Sequence, residues 1–256
     1  MMRLEAVGES HVGSKRNHNE DAFAVVDEAQ LCVVADGMGG HAAGEVASRL
    51  AVFSVREYFR KAPWTDADTN WPCRLDGVRR LEEERMIAAI KFANHRIYES
   101  AQRESRQKGM GTTIACILGV RDGVHIAHVG DSRVYRIRDK QIELLTEDHS
   151  LLNDYVRVKN LTPEEANSSP HKNVIVRALG MKDAVKVDTR FEIARKNDIF
   201  LLCSDGLSGP VPESEMLDVV LGAPDLHAAA LRLINHANDH GGPDNITAIL
   251  ARAHIS

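Results

Sequence analysis

Seven short runs of β-branched and other apolar residues punctuate this chain, at 22–26, 31–35, 113–120, 124–129, 133–138, 198–203 and 246–252. Each is bounded by Gly, Asp or Asn, which predicts strands, and several are so nearly apolar throughout that both faces must be covered. Between the runs lie four stretches with helical spacing. Ala43–Phe59 carries Val46, Leu50 and Phe53 with Ala47 and Ala51, and Leu81–Gln102 carries Met86, Ile90, Ala93 and Ile97. Near the end, Pro212–Leu221 and Pro224–Asn238 predict two more helices, the second with Leu226, Ala230, Leu233 and Ala237 on one face. One helix pair early and one late favours sheet layers flanked by helices, an α+β arrangement, over regular βαβ alternation.

At 256 residues, with no internal repeat and no linker-like stretch, the chain is read as a single domain over 1–256. Two stretches look like surface excursions. Residues 61–77 form an aperiodic loop, and 146–178 form a mostly polar flap, with a helix start at Thr162-Pro163-Glu164-Glu165. A net charge of −5 with only two Trp, four Tyr and six Phe argues against nucleic acid as a partner. The apolar runs fall far short of the ~18 residues of a membrane helix, and the first ten residues lack the apolar stretch of a signal peptide. A cytoplasmic protein without membrane contact is therefore expected. Cys32, Cys116 and Cys203 sit inside strand-like runs and Cys73 stands alone, so reduced thiols are expected.

The acids fall at strand ends. Glu20-Asp21 precedes one run, Asp36 ends another, Asp131 follows a third, Asp205 ends a fourth and Asp244 precedes the last; Asp36, Asp131 and Asp205 adjoin a glycine, and Asp244 follows Gly242-Pro243. Any one could be a turn aspartate. Five such places in one chain suggest instead a cleft where carboxylates converge, which would repel one another unless cations neutralise them. All-oxygen donors without paired His or Cys suit Mg²⁺ or Mn²⁺, and two such ions suit the displacement of a phosphate. Arg16 adds a planar fork fitted to a phosphoryl group.

Arg16-x-x-Asn19-Glu20-Asp21, VVADGMGGHAAGEVAS (33–48), GTT (111–113), HVGDSRVYRI (128–137), LLCSDGLSG (201–209) and GGPDNITAIL (241–250) resemble, in order and spacing, the bacterial branch of the metal-dependent protein serine/threonine phosphatases, the PPM or type 2C family. The likeness runs from about Val7 to Ala251. It implies a four-layer α-β-β-α sandwich of two antiparallel sheets flanked by helix pairs. It implies hydrolysis of phosphoserine and phosphothreonine in proteins through a water bridged by two Mn²⁺ or Mg²⁺ ions. On that model Asp36 bridges the ions, Gly37 offers its carbonyl, Asp205 and Asp244 complete one shell, and Glu20 and Asp21 hold the other ion, at least partly through its waters. Asp131 with Asp205 matches a third, weaker ion, which Asn173 of the flap would approach.

Where animal members carry a histidine two residues after the bridging aspartate, this chain has Met38, and His41 becomes the candidate proton donor. A metal-bound water could do the same, or His41 could only orient the glycine turn. Residues 37–45 lack the endings of a nucleotide cradle, so their glycines are read as packing beside the metal. His125 and His128, three apart on a strand, and His236 and His240, four apart at a helix end, show no third ligand and are read as packing or surface residues. Two other functions compete with protein dephosphorylation. One is hydrolysis of small phosphate esters, for which no base or sugar pocket is legible; the other is a weakly active phosphoprotein-binding regulator, against which the complete acid set argues. The expected partners are phosphorylated proteins, among them a serine/threonine kinase and its substrates, and the chain is expected to be a monomer.

Overall fold

A computed structural model describes residues 2–39, 43–60, 80–150 and 175–255. His41, loop 61–77 with Cys73, and the flap from 151 to 174 with Asn173 lie outside the described residues. One antiparallel sheet orders β1 (Met2–His11), β11 (Ile246–Ile255), β10 (Ile199–Cys203), β7 (Arg133–Arg138) and β8 (Gln141–Leu144). The other orders β2 (Asp21–Val26), β3 (Leu31–Met38), β5 (Ile114–Gly119), β6 (Gly123–Val129) and β9 (Asp188–Ile193), with the short β4 (Gly111–Thr112) paired to β3.

Alternation along the central strands builds the layers. In β5, Ala115 and Ile117 face the opposite sheet, whereas Ile114, Cys116 and Leu118 face α1 (Ala43–Arg60) and α2 (Leu81–Arg103). In β10, Phe200 and Leu202 face the other sheet across the sandwich, while Leu201 and Cys203 meet α4 (Glu213–Leu221) and α5 (Leu226–Asp239), which follow the one-turn α3 (Asp205–Ser208). The expected four-layer sandwich is therefore present. Each fully buried Leu, Ile or Phe contributes about 1.5–3 kcal/mol, and two-sided burial explains why these strands are apolar throughout. α5 starts where the Asp225 carboxylate accepts from the Ala228 N–H at 2.8 Å, a cap worth about 1 kcal/mol.

Two expectations are corrected. The buried face of α1 is Ala43, Ala47, Ala51, Val55 and Tyr58, while Val46 and Phe53 face outward. Small residues let the helix lie close on its sheet, and Phe53 is covered by the Arg96 guanidinium, 5.4 Å from its ring. Strands β1, β8 and β9 had no counterpart in the sequence reading. All three are sheet edges carrying Arg, Glu, Gln or Asp on their outer face, the residues that blunt an edge and mask its strand character. Cys32, Cys116 and Cys203 are buried and free, and burial pushes the Cys32 and Cys203 thiols up to about 12.

Candidate active site

Asp21 and Asp36 stand directly opposite each other on β2 and β3, a like-charge pair that a sheet tolerates poorly without a neutralising partner. The backbone of Asp36 is fixed independently of its carboxylate: its N–H donates to Thr113 Oγ1 at 3.0 Å, and its carbonyl accepts from Thr112 Oγ1 at 2.8 Å and the Thr113 N–H at 2.9 Å. Gly37 must be glycine because a Cβ there would lie 2.2 Å from the Gly44 carbonyl oxygen and 2.6 Å from that of Glu20. The first turn of α1 thus packs straight onto the Asp36-Gly37 corner, as the packing interpretation of these glycines requires. Across the seam, Gly206 lets the Asp205 turn settle onto Asn245, whose carbonyl oxygen would meet a Cβ at 1.9 Å.

Asn245 ties the loop before β2 in place. Its Oδ1 accepts from the Glu20 N–H at 2.7 Å, and its Nδ2 donates to the carbonyls of Val12 and His18. Ser204 Oγ and Thr247 Oγ1, from the other sheet, both donate to Asp21 Oδ2, at 2.7 and 2.6 Å. These three residues were missed in the sequence reading although each sits within three positions of a predicted acid; a strand-end hydroxyl or amide close to a carboxylate is the signal that would have found them. Arg16 Nη2 donates to Asp244 Oδ2 at 2.7 Å while half its side chain stays exposed, so the fork sits at the rim of the cluster.

The acids lie close enough to raise one another's pKa. Burial raises Asp36 well above the usual carboxylate range, and Asp21, Asp205 and Asp131 raise it further, with a hydrogen bond shared between Asp36 and Asp205. Burial pushes Asp21 up to about 7, with Asp205 and Asp244 adding to it against the two hydroxyl bonds. Asp131 is pushed to about 7 by burial and then by Asp205 and Asp148, and Glu20 is raised by burial against the pull of Arg16. The structure therefore brings together Glu20, Asp21, Asp36, Asp131, Asp205 and Asp244, with Gly37 and Arg16 beside them.

The Oδ1 atoms of Asp21, Asp131 and Asp205 are buried without a hydrogen-bond partner. Buried acceptors left unpaired are costly, and hard oxygen donors in this crowding suit Mn²⁺ or Mg²⁺. The residues fit the ions that the sequence implied.

Asp131 is held from the flap side. His149 Nδ1 accepts from the Gly130 N–H at 3.0 Å, its ring stacks on His128 at 4.6 Å, and its Nε2 lies 3.1 Å from Asp188 Oδ2. Burial lowers His149 to about 4, so it is neutral near pH 7 and can accept that bond. His125 and His128 are both buried, on opposite faces of β6, as packing residues.

The family model for protein phosphatase 2C matches residues 7–251. The serine/threonine phosphatase stp of Listeria welshimeri is 37% identical over 246 residues, covering 95% of this chain and 93% of its own. The crystal structure of the Mycobacterium tuberculosis serine/threonine phosphatase PstP/Ppp superposes with a TM-score of 0.85 at 35% identity, covering 98% of this chain and 99% of that one. A PstP catalytic domain in complex with two manganese ions gives a TM-score of 0.82 at 34% identity, with both chains fully covered. The chain belongs to the protein phosphatase 2C family, the metal-dependent protein serine/threonine phosphatases.

Proposed function

We propose that this chain hydrolyses phosphoserine and phosphothreonine in proteins at the Asp36 corner. The observation that carries this reading is the convergence of buried carboxylates with three unpaired oxygens on one seam, beside an exposed guanidinium. Asp36, Gly37, Asp205 and Asp244 would hold one or both core ions, with Glu20 and Asp21 holding the second and its waters. Asp21 would do so through Oδ1, since its Oδ2 is taken by Ser204 and Thr247. When bound, the ions supply a water acidified enough to attack phosphorus in line and charge to neutralise the phosphoryl oxygens. Arg16, anchored on one side by Asp244, receives the phosphoryl group on its exposed side and orients it for that attack. His41 is the proposed proton donor to the leaving alkoxide. The chain acts as one domain with its flap at 146–178, in the cytoplasm, on phosphoproteins that include a serine/threonine kinase and its substrates.

With Mn²⁺ supplied, phosphate release from a phosphothreonine protein should greatly exceed release from free nucleotides. Arg16→Ala should raise KM for an aryl phosphate about tenfold, more than it lowers kcat, because the guanidinium binds the dianion before as well as during transfer; Arg16→Lys should rescue only in part, having lost the fork. Equal turnover of nucleotides, or an unchanged KM in Arg16→Ala, would overturn these assignments.

Asp131 is proposed as a ligand of a third, weaker ion shared with Asp205. Asp131→Ala should increase the Mn²⁺ concentration needed for half-maximal rate about tenfold or more, while calorimetry still finds two tight sites. Loss of those two sites would place Asp131 in the core shell instead.

A further inference from the structure

His236 and His240 lie in the last turn of α5 and just beyond it, and the third partner that the sequence did not reveal comes from the first turn of α4. Glu215 Oε2 lies 2.6 Å from His236 Nε2 and 3.3 Å from His240 Nε2, and one ligand atom from each of the three residues falls within 4.8 Å of the others. We propose that Glu215, His236 and His240 form a binding site for a divalent transition-metal ion of the zinc class, separate from the carboxylate cluster and of different chemistry.

The tautomer of His240 carries the argument. Its Nδ1 lies 2.9 Å from the carbonyl oxygen of His236, and a carbonyl only accepts, so Nδ1 bears the proton. Nε2 is then the ring atom aimed at the Glu215 carboxylate, 3.3 Å from its Oε2. A proton can bridge that one pair, whereas a metal ion there would gain the second imidazole as a ligand too. A ring nitrogen fixed by an N–H bond to a backbone carbonyl is the arrangement by which metal-binding histidines are oriented.

The rest of the geometry agrees. The two imidazoles are 4.7 Å apart and inclined at 57°, so their nitrogens converge rather than stack in parallel. Tetrahedral zinc with bonds of 2.0–2.2 Å separates its ligand atoms by about 3.3 Å. The Glu215–His240 pair already has that spacing, and the Glu215–His236 pair must open by less than about 1 Å. Side-chain exposures of 32%, 34% and 41% for His236, His240 and Glu215 leave room for this adjustment and for water at the fourth position. The cation would sit at a helix C-terminus and the carboxylate near a helix N-terminus, both favoured by the helix dipoles. A donor set of two nitrogens and one oxygen selects Zn²⁺, Co²⁺ or Ni²⁺ over Mg²⁺.

Occupancy would pin α4 to the end of α5 and so stiffen the turn that leads to Asp244. The Gly242 carbonyl in that turn accepts from the backbone N–H groups of Ser14 and Lys15, next to Arg16.

The test is titration of the full chain with Co²⁺ in excess Mg²⁺, which occupies the all-oxygen cluster. One equivalent of Co²⁺ should give the intense visible absorption of a low-coordinate nitrogen-ligated ion, and one equivalent of Zn²⁺ should remove it. His236→Asn, His240→Gln and Glu215→Gln should each weaken binding about 100-fold, whereas Asp36→Asn should leave the band in place. No such band in the folded wild type would overturn the proposal. So would a band that persists in a folded His236→Asn/His240→Gln double variant, or one that Asp36→Asn abolishes.

Discussion

Asp36→Asn is expected to abolish Mn²⁺-dependent turnover, by at least about a thousandfold or roughly 4 kcal/mol of barrier, and at the same time to raise the melting temperature of the metal-free protein. Both effects follow from the same crowding. The carboxylate of Asp36 faces Asp21 across the strand pair and shares a hydrogen bond with Asp205, and its pKa is driven far up by burial and by those neighbours. Without metal the folded protein must either keep a proton there or bury a charge, and either cost disappears when asparagine replaces it. The amide can still donate to Asp205, and the three bonds that hold the Asp36 backbone involve no carboxylate atom. Activity assays beside thermal melts in chelator decide the matter. A variant that melts lower and remains active would mean that Asp36 stabilises the fold rather than holding ions.

The stabilisation conferred by Mn²⁺ should grow as pH rises from about 5 to about 8. Asp21 and Asp131 are both pushed to about 7 in the folded chain, so below that pH the folded state holds protons that the unfolded carboxylates have already released. Those raised groups make the metal-free protein lose stability as pH climbs from about 4 to about 7. Ions bind the ionised carboxylates, so Mn²⁺ must displace these protons, and its apparent affinity should weaken about tenfold per pH unit for each proton displaced. His125, His128 and His149 are lowered by burial and pull stability the other way as pH falls. Melts with and without Mn²⁺ at the same pH remove whatever part of their contribution the ion leaves unchanged. A Mn²⁺-induced shift that stayed flat across this range would show that the acids are already ionised in the folded, metal-free protein.

The acids could be located from sequence because each ends or precedes an apolar strand, where alternation stops and a short polar residue is conspicuous. Their convergence was harder to read: nothing local in Asp21 or Asp205 says that β2 and β10 belong to facing sheets, and only the ordered motifs supplied that. Helices were found where apolar residues recur every turn, as with Leu226, Ala230 and Leu233, and on α1 Ala47 and Ala51 do face inward, but Val46 and Phe53, grouped with them by size, face outward. Edge strands β1, β8 and β9 escaped because charged outer residues dilute the pattern. Glu215 escaped as partner of His236 and His240 because it lies on another helix, at a distance in sequence that no spacing rule covers.

Ser204, just past the end of β10, and Thr247 on β11 come from one sheet's side and Asp21 from the other sheet, yet both hydroxyls meet at a single carboxylate oxygen of Asp21. That junction works as a spine. The two sheets, packed face to face through their shared core, are also tied at this end of the sandwich by hydroxyl bonds that need no ion. On the proposed assignment, Asp36 and Asp205 would keep their separation whether or not ions are present, and the cost of aligning the two sides of the cradle would be met during folding instead of in each catalytic cycle.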